Sequence, residues 1–429
     1  MHSARASPSS RRHASAKRSA SAAAAEKTGR GAPVPRKRST RSSAPGARAA
    51  TSAGASRKSR PTGGSAATIS PPAAFAERLA RVRAELRSRK LDGYLIQSLL
   101  EQRWLTGFTG EDGAVLLTAD QTVLLTDGRF DQTADREAPW ATKVLRGSRG
   151  PEATAEWFGK LRLKRVGYDP AHVTVATFAG LSKAARGTKL ESAAGIIAGL
   201  RECKDTGEIA NVLAAVRVAQ GAFERVLKLI KLGMREREIA AYLEFVMRDL
   251  GADGAAFEPI VAVGPNAALP HHHPGDQRVE AGQVLLIDWG AKVRGYVSDL
   301  TRVVWIGNPP DALERAYRSV RAAREKAIEA VRPGASTGGL DKIARSVIKR
   351  AGFEKQFNHS LGHGIGMAVH EAPSLRKTAT DKLRPGMIVT IEPGVYLPGV
   401  GGIRLEDDVL VTERGHEVLS SLPLEFRIL

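Results

Sequence analysis

The sequence predicts an α+β fold in three parts: a disordered basic tail over 1–70, a smaller α/β domain over 71–205, and a larger domain with an internal pseudo-twofold repeat over 206–429. Three observations predict it. The first seventy residues hold no Leu, Phe, Trp or Tyr. The next stretch alternates helical spacings with short apolar runs. Beyond that, a glycine-flanked helix followed by an acidic hairpin occurs twice, at an offset of 101 residues.

The tail carries most of the charge. The chain of 429 residues has a net charge of +20. Residues 1–70 contain 15 Lys and Arg against one acid, Glu26. The remainder is therefore only mildly basic, which removes a general call for nucleic acid. A segment rich in Ser, Ala, Arg, Pro and Gly cannot bury enough apolar area to offset its chain entropy. It reads as a solvated tail or an upstream start artefact, as a loose arm for nucleic acid, or as a transit peptide. No apolar run approaches the ~18 residues of a membrane-spanning helix. Cys203 is the only cysteine, so no internal disulfide can form and nothing points to an oxidising compartment. A cytoplasmic protein with no membrane contact is expected.

From Ser70 the texture changes. Phe75, Leu79, Val82 and Leu86 are spaced as one face of a helix. Tyr94-Leu95-Ile96, Ala114-Val115-Leu116-Leu117 and Val123-Leu124-Leu125 read as strands. Helical stretches near 150–162 and 176–187 follow, and a helix from about Thr206 opens the larger domain.

The repeat aligns Gly233–Gly251 with Gly334–Gly352. Ile239, Tyr242, Val246 and Met247 then match Leu340, Ile343, Val347 and Ile348 as one helical face in each copy. Hairpin-like segments follow, at Val284–Ile306 and Met387–Val411. Each carries two acids. Asp288 and Asp299 are centred between Val293 and Arg294, and Glu392 and Glu406 on Gly399. Tight turns there would set the carboxylates of each pair opposite one another. Like charges facing each other beside a buried run such as Val284-Leu285-Leu286-Ile287 call for a cation between them. The alternative is that the acids lie on a solvent face; its recurrence in two related hairpins argues against that.

The third ingredient is Asn358-His359-Ser360-Leu361-Gly362-His363-Gly364-Ile365-Gly366, followed by His370-Glu371-Ala372-Pro373. It is not the helical zinc motif, because glycines break the helix and the spacing differs. A lone histidine reads as a core or surface residue. Three within twelve residues, beside two acidic hairpins, read as a site. Four carboxylates and one imidazole suit two divalent ions, with Mn2+ favoured by oxygen-rich ligation and Co2+ or Zn2+ as substitutes. Two ions about 3.5–4 Å apart can hold a bridging hydroxide and lower the pKa of water to about 7. Free imidazoles titrate near neutrality and suit proton transfer at the scissile bond.

At these residues the sequence resembles the pita-bread metallopeptidases, in the Xaa-Pro aminopeptidase and prolidase branch, over about 74–429. The segments are Phe257–Asn266, Pro270-His271, Leu286–Ala291, Ser298–Arg302, His359–His370, Thr390–Tyr396 and Gly402–Asp407. Trp104–Gly110 and Thr126–Arg129 resemble the creatinase-like N-terminal domain of that branch. The resemblance implies that Asp288 binds one ion through both oxygens and that Asp299 and Glu406 bridge two. His363 and Glu392 would complete the second, with Glu392 also accepting a proton. His271 resembles the family's substrate-side histidine, His370 the one near the oxyanion, His359 a wall of the proline pocket, and Arg404 the arginine that organises the site. Within Pro270-His271-His272-His273-Pro274, strand alternation leaves His271 or His273 on the cleft side, and the resemblance points to His271. The implied activity is removal of a residue that precedes proline, with proline-containing peptides as partners and a homodimer by analogy. A prolidase confined to dipeptides shares every ligand; His370-Glu371 before Pro373 leans toward the aminopeptidase. Intact ligands argue against a metal-free creatine hydrolase and against an inactive binding module. Residues 71–205 argue against a methionine aminopeptidase.

Overall fold

The computed structural model describes residues 70–428. The basic tail lies outside them.

The first helix, Ala73–Ser88, buries Leu79, Val82 and Leu86, with Phe75 half-buried. It leads into a six-stranded sheet. Gly93–Ile96 pairs antiparallel with Gly113–Thr118 on one side and parallel with Arg165–Tyr168 on the other. The apolar runs 94–96, 114–117 and 123–125 are all strand and all buried. They are buried throughout because helices cover both faces of such a sheet.

Helix Thr206–Leu227 starts where Asp205 accepts the Glu208 N–H and Glu208 accepts the Asp205 N–H. This reciprocal cap satisfies two orphan donors. The repeated helices are Glu236–Asp249 and Thr337–Arg350. All four flanking glycines, Gly233, Gly251, Gly334 and Gly352, have φ between 81° and 94°, a left-handed conformation that side chains resist. The predicted helical face needs one correction, made identically in both copies. Tyr242 and Ile343 face solvent, and Leu243 and Ala344 take the buried positions.

Both hairpins form. In the second, Ile391 pairs with Asp407 and Gly394 with Arg404. That register, continued, sets Glu392 against Glu406 as expected. In the first, Asp288 pairs with Thr301, not Asp299. The turn is centred one residue later than predicted, at Arg294 (φ 52°) and Gly295 (φ 84°), where a two-residue hairpin needs two positive φ angles. A slip of two positions keeps both acids on one face; a slip of one would have separated them. The hairpins then meet. Glu406 N–H donates to the Thr301 carbonyl at 3.2 Å. Helices Asp311–Glu329 and Thr337–Arg350 close one core over residues from both, among them Leu286, Val303, Val389 and Val409.

Candidate metal centre

All five predicted ligands, and His271, His359, His370 and Arg404, line one cleft of about 700 Å³. Donor atoms of Asp299, His363 and Glu406 lie within 4.8 Å of one another. His363 Nε2 is 3.5 Å from Glu392 Oε1 and 3.7 Å from Asp299 Oδ2.

Backbone geometry explains how His363 gets there. It sits on the strand Gly362–Gly364, where the register shifts after His363; such a bulge re-aims a side chain. A Cβ on Gly362 would fall 2.0 Å from the Thr390 carbonyl oxygen, so only glycine allows this approach. His363 Nδ1 faces the Gly364 carbonyl at 3.1 Å. Nδ1 is then the donor, and Nε2 keeps its lone pair for an ion. Burial, then His370, lowers the His363 pKa to about 4, so the ring is neutral, as a ligand must be.

The carboxylates behave as a group short of positive charge. Burial first, then its acidic neighbours, raises Asp299 well above the carboxylate range. The same causes act on Glu392 and bring Glu406 up to about 8. Asp288 Oδ1 is buried with no hydrogen-bond partner. A divalent ion would supply what these oxygens lack, so the donor set fits the expected metal. Arg404 pairs with Asp288 Oδ2, and Oδ1 is the oxygen without a partner.

The histidines divide. His359 Nε2 lies 2.9 Å from the Tyr396 hydroxyl. Burial, then Arg404, lowers its pKa to about 3, so it does not titrate near neutrality as expected of a free imidazole. The His370 ring is exposed, its centroid 4.2 Å from that of His363. Residues 270–274 are a turn and loop rather than a strand, which removes the alternation argument. His272 is instead pinned to the fully buried Glu236 at 2.8 Å, and His273 bonds the exposed Glu258. His271 remains exposed at the cleft.

Sequence reasoning left four residues without a role. The Tyr396 hydroxyl joins His359 to Arg404 (2.9 Å). The Thr301 hydroxyl donates to Glu406 (2.6 Å) and accepts from Arg404. Asp408 accepts the Asp299 N–H at 3.1 Å. Glu371 accepts the N–H groups of Met367 and Ala368 and pairs with Arg201, which holds the loop before His370. Only Glu371 and Asp408 carried a signal, as acids beside residues already marked. Removing the Tyr396 hydroxyl breaks two of these links. We expect Tyr396→Phe to lower kcat/KM by roughly 10–100-fold, the usual cost of losing an outer-shell partner. Peptide hydrolysis at saturating metal would measure it.

Comparison with known proteins gives the family. The model of metallopeptidase family M24 matches residues 210–413, and that of the creatinase/prolidase N-terminal domain matches 78–203. An uncharacterized peptidase of Bacillus subtilis is 36% identical over 79% of this chain and 96% of its own length. The structure of an Xaa-Pro dipeptidase from Bacillus anthracis superposes with a TM-score of 0.80 at 34% identity, covering 83% of this chain and 100% of that one. An X-Pro aminopeptidase from Thermotoga maritima gives 0.75 at 35%, covering 80% and 100%. With a pita-bread domain behind a creatinase-like one, the chain belongs to metallopeptidase family M24, in the branch that carries the creatinase/prolidase N-terminal domain.

Proposed function

We propose that this protein is a metal-dependent Xaa-Pro aminopeptidase, hydrolysing the bond between an N-terminal residue and a following proline. The observation that carries the reading is the convergence of Asp288, Asp299, His363, Glu392 and Glu406 on one cleft. These five would hold two divalent ions, Mn2+ by preference, with Co2+ or Zn2+ able to substitute. Bound there, the ions would polarise the scissile carbonyl and acidify a water.

The chain's own groups do the rest. Glu392 takes the proton of the attacking water on a carboxylate oxygen. His370, exposed beside His363, donates to the oxygen that gains charge. His271 faces the substrate from the cleft mouth. His359, neutral and tied to Tyr396, forms a flat wall for the proline ring. Arg404 fixes Asp288, Thr301 and Tyr396 relative to one another. The amide ahead of proline has no N–H. A site that recognises a free amino end and a ring needs no strand-like hydrogen bond there.

One observation favours an aminopeptidase over a dipeptidase. Among the described residues, Arg404 is the only Arg or Lys lining the cleft. It is committed to Asp288, Thr301, Tyr396 and the Pro270 carbonyl. Among the described residues lining the cleft, no guanidinium or ammonium is left for the carboxylate of a dipeptide. The relative named as an Xaa-Pro dipeptidase supports the second reading. Matched Xaa-Pro and Xaa-Pro-Xaa peptides, assayed with Mn2+, distinguish the two. The tripeptide should be cleaved with the higher kcat/KM, and cleavage of the dipeptide alone would overturn the choice. A homodimer, expected by analogy, is checked by sedimentation of the same preparation.

A further inference from the structure

The smaller domain holds a second group of metal-type side chains, far in sequence from the cleft residues. It lies at the ends of two neighbouring parallel strands, Gly93–Ile96 and Arg165–Tyr168. The chain leaving the first strand passes through helix Leu99–Thr106 to a strand on one side of it. The chain leaving the second passes through helix Val175–Ala184 to Lys189–Ser192, on the other side. Both connections therefore leave from the carboxyl ends of these two strands.

Three donors converge at these strand ends. Glu101 comes from the segment after the first strand, and Asp169 and His172 from the segment after the second. One donor atom from each lies within 4.8 Å of the other two. His172 Nε2 is 3.8 Å from Glu101 Oε1. Glu101 is 2% exposed, yet its Oε1 has no hydrogen-bond partner. A buried carboxylate oxygen with nothing to bond is costly, and this one lies beside an imidazole. Burial raises its pKa to about 7. Asp169 is held in place. Its two oxygens accept the N–H groups of Ala171 (2.9 Å) and Gly195 (2.8 Å), and each oxygen retains a lone pair. The nearby Arg201 is already paired with Glu371. His172 is exposed, which provides an entry path.

We infer that Glu101, Asp169 and His172 form a binding site for a divalent transition-metal ion of the zinc class, separate from the catalytic cleft. One imidazole nitrogen and two carboxylate oxygens are all donors that zinc accepts, leaving one position for water. Bonds of about 2.0–2.2 Å require tetrahedral donors roughly 3.5 Å apart, so binding draws the three together through small side-chain rotations. The ion ties helix Leu99–Thr106 to the loop after Arg165–Tyr168. The inference does not depend on the proposed activity.

The test uses the full chain carrying Asp299→Ala and Glu406→Ala, which empties the cleft. The protein is dialysed against Zn2+, desalted and analysed for metal. About one ion per chain should remain, and adding either His172→Ala or Glu101→Gln should remove it. If the cleft substitutions impair folding, the same measurement is made on the otherwise unaltered chain. There, His172→Ala should lower the zinc content by one ion per chain while leaving kcat/KM for peptide within about twofold. Zinc content that is indifferent to both His172→Ala and Glu101→Gln, or a cleft-emptied chain that retains no ion, overturns the inference.

Discussion

Glu406→Ala should abolish peptide hydrolysis and sharply lower metal binding at the cleft. Glu406 is 1% exposed, sits where the two hairpins meet, and shares a cluster with Asp299 and His363. Its removal takes one negative charge from a group that exists to hold cations, and it frees the Thr301 hydroxyl that Arg404 also contacts. Metal polarisation supplies several kilocalories per mole of transition-state stabilisation, so the loss should be on the order of 10³-fold or more in kcat/KM. Glu406→Gln separates the causes. It preserves shape and the Thr301 hydrogen bond but not the charge. If charge is what matters, the Gln variant fails almost as badly as the Ala variant, and excess Mn2+ restores little. Metal analysis and peptide hydrolysis on the same samples decide it. A Glu406→Ala protein with parental activity would remove this residue from the site and leave the metal reading without a centre.

Much of this site was legible because repeats and strand periods are local signals. In the second hairpin the midpoint of the two acids falls on Gly399, and the turn does form around that positive-φ glycine (76°). The first was misjudged by two positions because the carboxylates were assumed to be opposed. In fact Arg294 shares the turn with Gly295 and adopts a positive φ that nothing about an arginine announces. Tyr242 and Ile343 fall off the buried side of the aligned helical face for the same kind of reason: apolar character marks a helix stripe but not its exact edge. The links made by Tyr396 and Thr301 were illegible because they cross between hairpins more than a hundred residues apart, or join side chains whose polarity has many other uses. The pinning of His272 by Glu236 was hidden in the same way. It depends on the start of a helix 36 residues earlier reaching under the histidine loop.

That dependence on long-range polar links makes Arg302 the most consequential structural residue near the site. Its side chain is fully buried and ion-paired with Asp407 at 2.7 Å, and Asp407 is also held by Arg324. The same guanidinium donates to the carbonyls of Thr301 and Glu406, and to Pro423, Ser420 and Leu422 in the C-terminal segment. It therefore stitches three stretches of chain at the point where the hairpins carry their metal-type acids. Arg302→Met fills similar space but leaves Asp407 half-compensated and several carbonyls without donors. Removing one partner of a buried ion pair costs about 3–5 kcal/mol, and we expect a loss of that size in denaturant-induced unfolding of the metal-free protein. Because Arg302 grips the Glu406 carbonyl directly, metal affinity should fall as well. Arg302→Lys retains the charge without the planar fork and should lie between the two. An Arg302→Met protein within about 0.5 kcal/mol of the parent, the range of an ordinary surface change, would mean that the hairpins hold their register without this stitch.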